Sequence, residues 1–223
     1  MASESRLPLK IASSIRLGSR LLRILFERPA NLSFSSGQYL LIDGNAFAIA
    51  SAPTADEPLE LLIRLPDEGP SRHGLERLPA GTRIENWSLA GKGFNVNPLV
   101  PKVRFFATGT AIAAYRSYLL SQAFAENAIQ AELWAGFRSE EDLILIQELK
   151  GHPRIRLEVT LSQPGENWSG PKGRIDERVA ALPAEFFAEH SLYSVCGQWD
   201  FVQTMLKLLN SRGVEPSLIF EPN

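Results

Sequence analysis

The chain has 223 residues, 44% of them hydrophobic and 22% charged, with a formal net charge of −2. That is enough for one large domain or two small ones with an ordinary core, and it excludes a chain disordered throughout. No basic run offers a footprint for nucleic acid, and no apolar stretch approaches the ~18 residues of a membrane span.

Residues 1–25 are rich in Ser and Arg and nearly free of acids, a faint likeness to a transit peptide. They lack the apolar h-region of a secretory signal, and Leu22, Ile24 and Phe26 read better as part of a half-buried strand. Cytoplasm or an organelle stroma is the expected location. The sequons at Asn31, Asn86 and Asn167 carry no weight without a secretion signal.

Short apolar stretches then follow one another: LLRILF (21–26), QYLLID (38–43), LELLIRL (59–65) and TRIENWSL (82–89). Gly, Pro, Ser and Asn divide them and no helical period intervenes. This predicts a small antiparallel β-barrel over residues 1–100.

The pattern changes after Pro98 and Pro101, so a boundary is expected near 98–102. VRFFAT (103–108) reads as a strand, Gly109 as a turn, and AIAAYRSYLLSQAF as one helix. AELWAGF (131–137) is the next strand. Ser139, with Glu140, Glu141 and Asp142 behind it, starts a helix that Gly151 ends. RIRLEVTLS (154–162), SLYSVCG (191–197) and SLIFE (217–221) are further strands, the last two separated by a helix through DFVQTMLKLLNSRG. Strands alternating with helices predict a five-stranded parallel α/β domain over residues 101–223. The fold class is thus an antiparallel barrel followed by an α/β nucleotide-binding unit.

In an open α/β sheet, ligands sit at the carboxyl ends of the strands. Two such ends carry a signal. Thr108, Gly109 and Thr110 join a strand to a helix whose start suits a pyrophosphate. Val195-Cys196-Gly197 sets a polarizable thiol beside a glycine. As the only cysteine, Cys196 excludes a disulfide framework and any iron–sulfur or zinc site built on several thiolates. His73, His152 and His190 have no ligand spacing, so no metal site is expected.

The order GQYL (37–40), AIASAP (48–53), GPS (69–71), ATGTAIAAYRSYL (107–119) and CGQWDFV (196–202) resembles the ferredoxin–NADP reductase superfamily, in particular its small NAD(P)H–flavin reductase-like members. The resemblance covers nearly the whole chain. It implies a flavin-binding barrel and a pyridine-nucleotide domain, FAD (with FMN as the alternative) as cofactor, and NADH or NADPH as donor. The family's Arg-x-Tyr-Ser motif falls on Asn45, Phe47 and Ala48. Phe47 keeps an aromatic face for the flavin ring; Asn45 lacks the charge for its phosphate and Ala48 the hydroxyl for its N5. The resemblance implies backbone N–H groups of Ile49 or Ala50 as substitutes, with Ser51 beside them. Arg64 is the substitute cation. Gly69 and Ser71 match a second flavin-phosphate motif, with Ser71 capping a short helix and Arg72 assisting.

On the nucleotide side the resemblance implies Thr108, Gly109, Thr110, Arg138, Ser162 and Gly197 as contacts, and Cys196 as the catalytic residue beside the nicotinamide. Ala111 replaces a glycine, Gln163 replaces an arginine that would read a 2′-phosphate, and Trp199 sets a bulky indole near the path of the nucleotide. Gln163 favours NADH. The implied activity is hydride transfer from NAD(P)H to flavin and onward electron transfer to an acceptor not named by the sequence, a partner redox protein being one candidate. The alternatives are an electron-relay or non-catalytic subunit docked on a partner redox enzyme, and a scaffold that binds no flavin.

Overall fold

The computed structural model describes residues 7–30, 32–54, 57–94, 96–97 and 99–220. Asn31, Pro98, Glu221 and residues 1–6 of the N-terminal segment lie outside the described residues.

Seven strands form two antiparallel sheets. One has the order β5-β2-β1-β6, from Leu59–Arg64, Leu21–Glu27, Leu9–Leu17 and Arg83–Ile84. The other is β4-β3-β7, from Asn45–Ala48, Tyr39–Ile42 and Trp87–Ala90. The run 82–89 is therefore not one strand. Arg83 and Ile84 pair with β1, whereas Trp87 onward pairs with β3. The chain turns the corner between sheets here, and an Ile49–Leu61 bridge links them at another point. The result is a curled half-barrel around Ile11, Ile24, Phe26, Leu40, Ile42 and Leu61, all buried. Strand β1 has no counterpart in the sequence reading, because Ser13 and Ser14 interrupt its alternation and a register shift falls between Ile11 and Ser13. The β3–β4 hairpin closes on Asp43 and Gly44, both at positive φ (46° and 78°), as a two-residue turn of this hand requires.

The second half holds a parallel sheet of order β10-β9-β8-β11-β12. Its strands are Lys102–Thr108 (β8), Gln130–Phe137 (β9), Ile155–Leu161 (β10), Leu192–Cys196 (β11) and Ile219–Phe220 (β12). The chain runs outward from β8 to β10 and then crosses to β11 on the other side of β8. That reversal is the topological switch point where α/β sheets place ligands. β8 is buried along Val103–Ala107 because both of its faces are covered. Phe105 joins a core with helix α1 (Ile112–Leu119), and Phe106 one with α3 (Ile175–Ala180) and α5 (Trp199–Ser211).

The single helix expected after Gly109 is broken. Ser121 leaves the helical region and its Oγ accepts the N–H of Phe124 at 3.2 Å, capping α2 (Gln122–Glu126). The segment Glu140–Leu149 is a 3₁₀ helix, and Gly151 follows it at φ 79°. Helices α3 and α4 (Ala184–Ala188) carry too short an apolar period to be read from sequence.

The two halves share one core: Leu21, Ala50 and Leu62 of the half-barrel pack in the same cluster as Phe105 and Tyr115. A buried charge network reinforces the junction. Arg116 of α1 donates to Ala50 O at 2.7 Å and to Glu60 Oε2 at 2.8 Å, while Arg23 Nε donates to Glu60 Oε1 at 2.6 Å.

Candidate functional site

A cavity of about 660 Å³ lies between the half-barrel and the carboxyl ends of the parallel strands. Phe47 and Ala48 of β4, with Leu62, Ile63 and Arg64 of β5, form one wall. The ends of β8, β9 and β10 bring Thr108, Phe137, Arg138 and Ser162 to the other, and Gly197 after β11 joins them. Gly109 and Thr110 follow Thr108 into the wall. Two sets of residues that the resemblance assigns to different cofactors thus meet in one space.

The wall around the switch point is tight. A Cβ on Gly197 would lie 2.4 Å from Thr108 Oγ1 and 2.7 Å from the Phe201 ring. One on Gly136 would lie 2.8 Å from Ile175. Gly109 is different: its φ is 55° and nothing stands within 4 Å of where its Cβ would be, so its backbone is bare toward open space. Thr108 Oγ1 is buried and has no hydrogen-bond partner. An orphaned hydroxyl beside a bare glycine turn suits a polar ligand group that completes it. Three cations, Arg64, Arg138 and Arg174, face the same cavity with one carboxylate, Asp176.

The remaining expected contacts sit elsewhere. Asn45 does not line the cavity; its amide turns back onto its own hairpin, donating to Asp43 O at 3.2 Å. The N–H groups of Ile49 and Ala50 are not free. Strand pairing commits the first to Gln38 O at 3.3 Å and the second to Glu60 O at 2.8 Å. Ser51 Oγ accepts the N–H of Glu60 at 3.1 Å and opens on a second, separate hollow. Gly69 adopts φ 74° in the loop after β5 and is outside the wall. Cys196 pairs with Ala107 at the end of β11 and precedes the wall residue Gly197. Trp199 is 73% exposed and takes no part in the lining, so it does not fill the nucleotide's expected path.

Arg64 does line the cavity, but its Nη1 is 3.6 Å from Asp142 Oδ1. Burial raises the Asp142 carboxyl above its ordinary value, and Arg64 opposes that shift. Arg138 is also held: its Nε donates to Gln163 Oε1 at 2.7 Å and its Nη1 to Asp67 Oδ2 at 3.0 Å. Gln163 is therefore the partner of a cation.

Ser71 does not cap the short 3₁₀ helix Leu75–Arg77 in the expected way, since Gly74 occupies that position. Its Oγ accepts the N–H of Gly74 at 3.0 Å and donates to Glu76 Oε2, while its own N–H donates to Glu76 Oε1 at 2.9 Å. Burial disfavours the Glu76 carboxylate, but hydrogen bonds from Ser71 Oγ, from its own backbone and from Ser71 N–H prevail and hold it at about 2, below its ordinary 4.5. A depressed carboxylate pKa gives stability that is present above the unfolded value and lost as pH falls through the folded one. The stability difference between wild type and Glu76→Gln is therefore expected to shrink from pH 6 to pH 2.5, as urea unfolding at the two values would show.

Sequence reasoning missed His73, Arg174, Ile175 and Asp176 on the cavity wall. Only the Gly173-Arg174 pair in a polar loop offered a signal, with Gly173 at φ 102°.

Among the described residues no cluster of His, Cys, Asp and Glu fits a metal ion, and no helix is long and apolar enough to cross a membrane. Residues 105–207 match the family model described as an oxidoreductase NAD-binding domain. The chain is 34% identical over 145 residues to ferredoxin–NADP reductase B of Sorangium cellulosum, covering 63% of this chain and 59% of that protein. It is 25% identical over 214 residues to the phenol 2-monooxygenase reductase component DmpP of Pseudomonas sp. (strain CF600), covering 90% of this chain and 60% of that one. It thus spans about three fifths of the length of these curated relatives. Its fold is similar to a ferredoxin NADP+ reductase from Neisseria gonorrhoeae with bound FAD and NADP (TM-score 0.76, 21% identity, 96% of each chain). It is also similar to the cytochrome b5 reductase domain of Ulva prolifera nitrate reductase (TM-score 0.78, 17% identity, 99% and 98% of the two chains). Residues 105–207 are thus similar to an oxidoreductase NAD-binding domain, and the half-barrel, the parallel sheet and the cavity between them have the fold of these reductase structures.

Proposed function

We propose that this chain is a flavin-dependent oxidoreductase module that draws electrons from NADH or NADPH and delivers them to an acceptor outside the chain. One observation carries the reading: the aromatic of β4 and the glycine turn after β8 open into the same cavity. A bound flavin would take a hydride from reduced nicotinamide there and pass electrons on.

The roles of the chain's own residues are to bind and orient. Phe47, Ala48, Leu62 and Ile63 give an apolar wall for a flat ring. Gly109 and Thr110, at the positive end of the following helix, suit a pyrophosphate, and Thr108 Oγ1 suits a polar edge of the nicotinamide. Gly197 leaves room for Thr108 and Phe201 to close together on the cavity wall. Arg64, Arg138 and Arg174 supply positive charge for phosphates. Ser162 lines the cavity beside Arg138, whose Nε donates to Gln163 Oε1 at 2.7 Å, so a guanidinium stands next to the glutamine that replaces the expected arginine and the site suits NADH or NADPH.

The reductase names of the relatives support this reading, and so does the shared cavity, which a non-catalytic subunit would not require. Those names also make a redox protein the favoured class of acceptor.

The test is spectroscopic. FAD and FMN are titrated into the purified chain while tryptophan emission and flavin absorbance are followed, and NADH is then added without oxygen. Saturable binding and bleaching of the flavin band support the reading; absence of both with either flavin rejects it. Phe47→Ala is expected to weaken flavin binding by about 10-fold, from loss of ~1–1.5 kcal/mol of ring stacking.

A further inference from the structure

The half-barrel wall of the cavity is short of polar groups for a flavin. Asn45 points its amide at its own turn, and Ala48 has no side-chain polar atom. The Ile49 and Ala50 N–H groups are spent in strand pairing, and the Ser71 hydroxyl on Glu76. Two polar side chains of this half remain on the wall, Arg64 and His73, and Arg64 already has Asp142 as its ion partner.

His73 is built into place. Its ring meets Phe47 edge-on, with centroids 5.2 Å apart and planes at 85°. Its Nδ1 accepts the N–H of Leu75 at 3.2 Å and lies 3.0 Å from Ser71 Oγ. A ring nitrogen that accepts carries no proton, so the neutral imidazole keeps its proton on Nε2. Among the described residues nothing is hydrogen-bonded to Nε2, and the ring lines the cavity. The charged groups around it are Glu76, with Oε2 3.7 Å from Nδ1, Arg77 beside Glu76, and Arg64 across the wall. Burial lowers the His73 pKa from its ordinary 6.5, Glu76 opposes this and Arg77 adds to it, so the ring is neutral at pH 7.5.

We propose that His73, through its Nε2–H, gives the ring system seated on Phe47 the polar contact that Asn45 and Ala48 do not supply. This rests on the reading that the cavity takes a flavin. It makes His73 a flavin-contacting residue that the motif comparison does not assign, and the Ser71–Glu76 pair the support that sets its ring.

The test is titration of FAD and of FMN into wild type, His73→Phe and His73→Gln at pH 7.5, read by tryptophan quenching and flavin anisotropy, with NAD+ titrated separately. The phenylalanine keeps a ring against Phe47 and removes the donor; the glutamine keeps an N–H. His73→Phe is expected to bind flavin about 10-fold more weakly, His73→Gln within about 3-fold of wild type, and both to bind NAD+ unchanged. In the wild-type NMR spectrum the His73 imidazole resonances shift on flavin addition while those of His152 and His190 stay. Equal flavin affinity in wild type and His73→Phe, equal losses in both variants, or unmoved His73 resonances overturn the proposal while leaving the flavin reading standing. A wild-type chain that binds neither FAD nor FMN overturns both.

Discussion

Gly197→Val is expected to reduce pyridine-nucleotide affinity by about 30- to 150-fold while the chain still folds. The glycine is not kept for its backbone angle, since it is absent from the residues at positive φ. It is kept for space. A Cβ there would stand 2.4 Å from Thr108 Oγ1 and 2.7 Å from the Phe201 ring, and Phe201 is 3% exposed on α5 with no room to retreat. The end of β8 and the start of α5 must part, at the switch point where the nucleotide is proposed to lie. Overpacking of this kind costs ~2–3 kcal/mol, which gives the stated loss if it falls on the binding-competent arrangement. Gly213→Ala is the control. Gly213 has φ 79° and open space around it at the end of α5, far from the cavity. It is expected to lose ~1–2 kcal/mol of stability and no nucleotide affinity. NADH fluorescence titrations decide the matter: if Gly197→Val binds like wild type, the nucleotide does not sit at the switch point.

Arg104→Ala is expected to lower stability by ~3–5 kcal/mol, with the thermal midpoint falling by about 10 °C. Arg104 is 1% exposed on β8, near the end of the sheet away from the cavity. Its Nε donates to Glu132 Oε2 at 3.1 Å, and its Nη1 to Tyr193 Oη at 3.0 Å and to Phe186 O at 2.7 Å. Glu189 completes the set, and the guanidinium lies 3.9 Å from the Phe186 ring centroid. Truncation strips Glu132 of its closest cation. What remains is Lys102 at 3.6 Å and a 3.4 Å hydrogen bond from Trp134 Nε1. A buried carboxylate so weakly compensated is costly, whereas removing both charges is far less so. Arg104→Met combined with Glu132→Gln is therefore expected to recover more than half of the loss. Thermal unfolding of the single and double variants measures this. A loss under 1 kcal/mol for Arg104→Ala would mean that water reaches the site and the network contributes little.

The parallel half was largely legible because its signals are local. VRFFAT and AELWAGF are mostly apolar, interrupted only by the paired Arg104 and Glu132, and Gly109, Gly151 and Gly213 mark turns by a property of one residue each. The site was legible where it lies at strand ends, so Thr108, Gly109, Ser162 and Gly197 come to one cavity as their positions after β8, β10 and β11 required. It was not legible where the answer depends on pairing between distant segments. The N–H groups of Ile49 and Ala50 look available in sequence and are taken by Gln38 and Glu60.

From sequence alone, then, come the change from antiparallel to alternating grammar, the aromatic at Phe47 and the glycine turn at Gly109, because periodicity and glycine conformation are carried by near neighbours. Only the tertiary structure decides that the run 82–89 divides between two sheets, that Arg116 reaches Ala50, and that His73 rather than Asn45 keeps company with Phe47. Those outcomes depend on which donors and charges are left after the sheets have paired, and a hydrogen bond made across 66 residues, as from Arg116 to Ala50, leaves no mark in the local order of either segment.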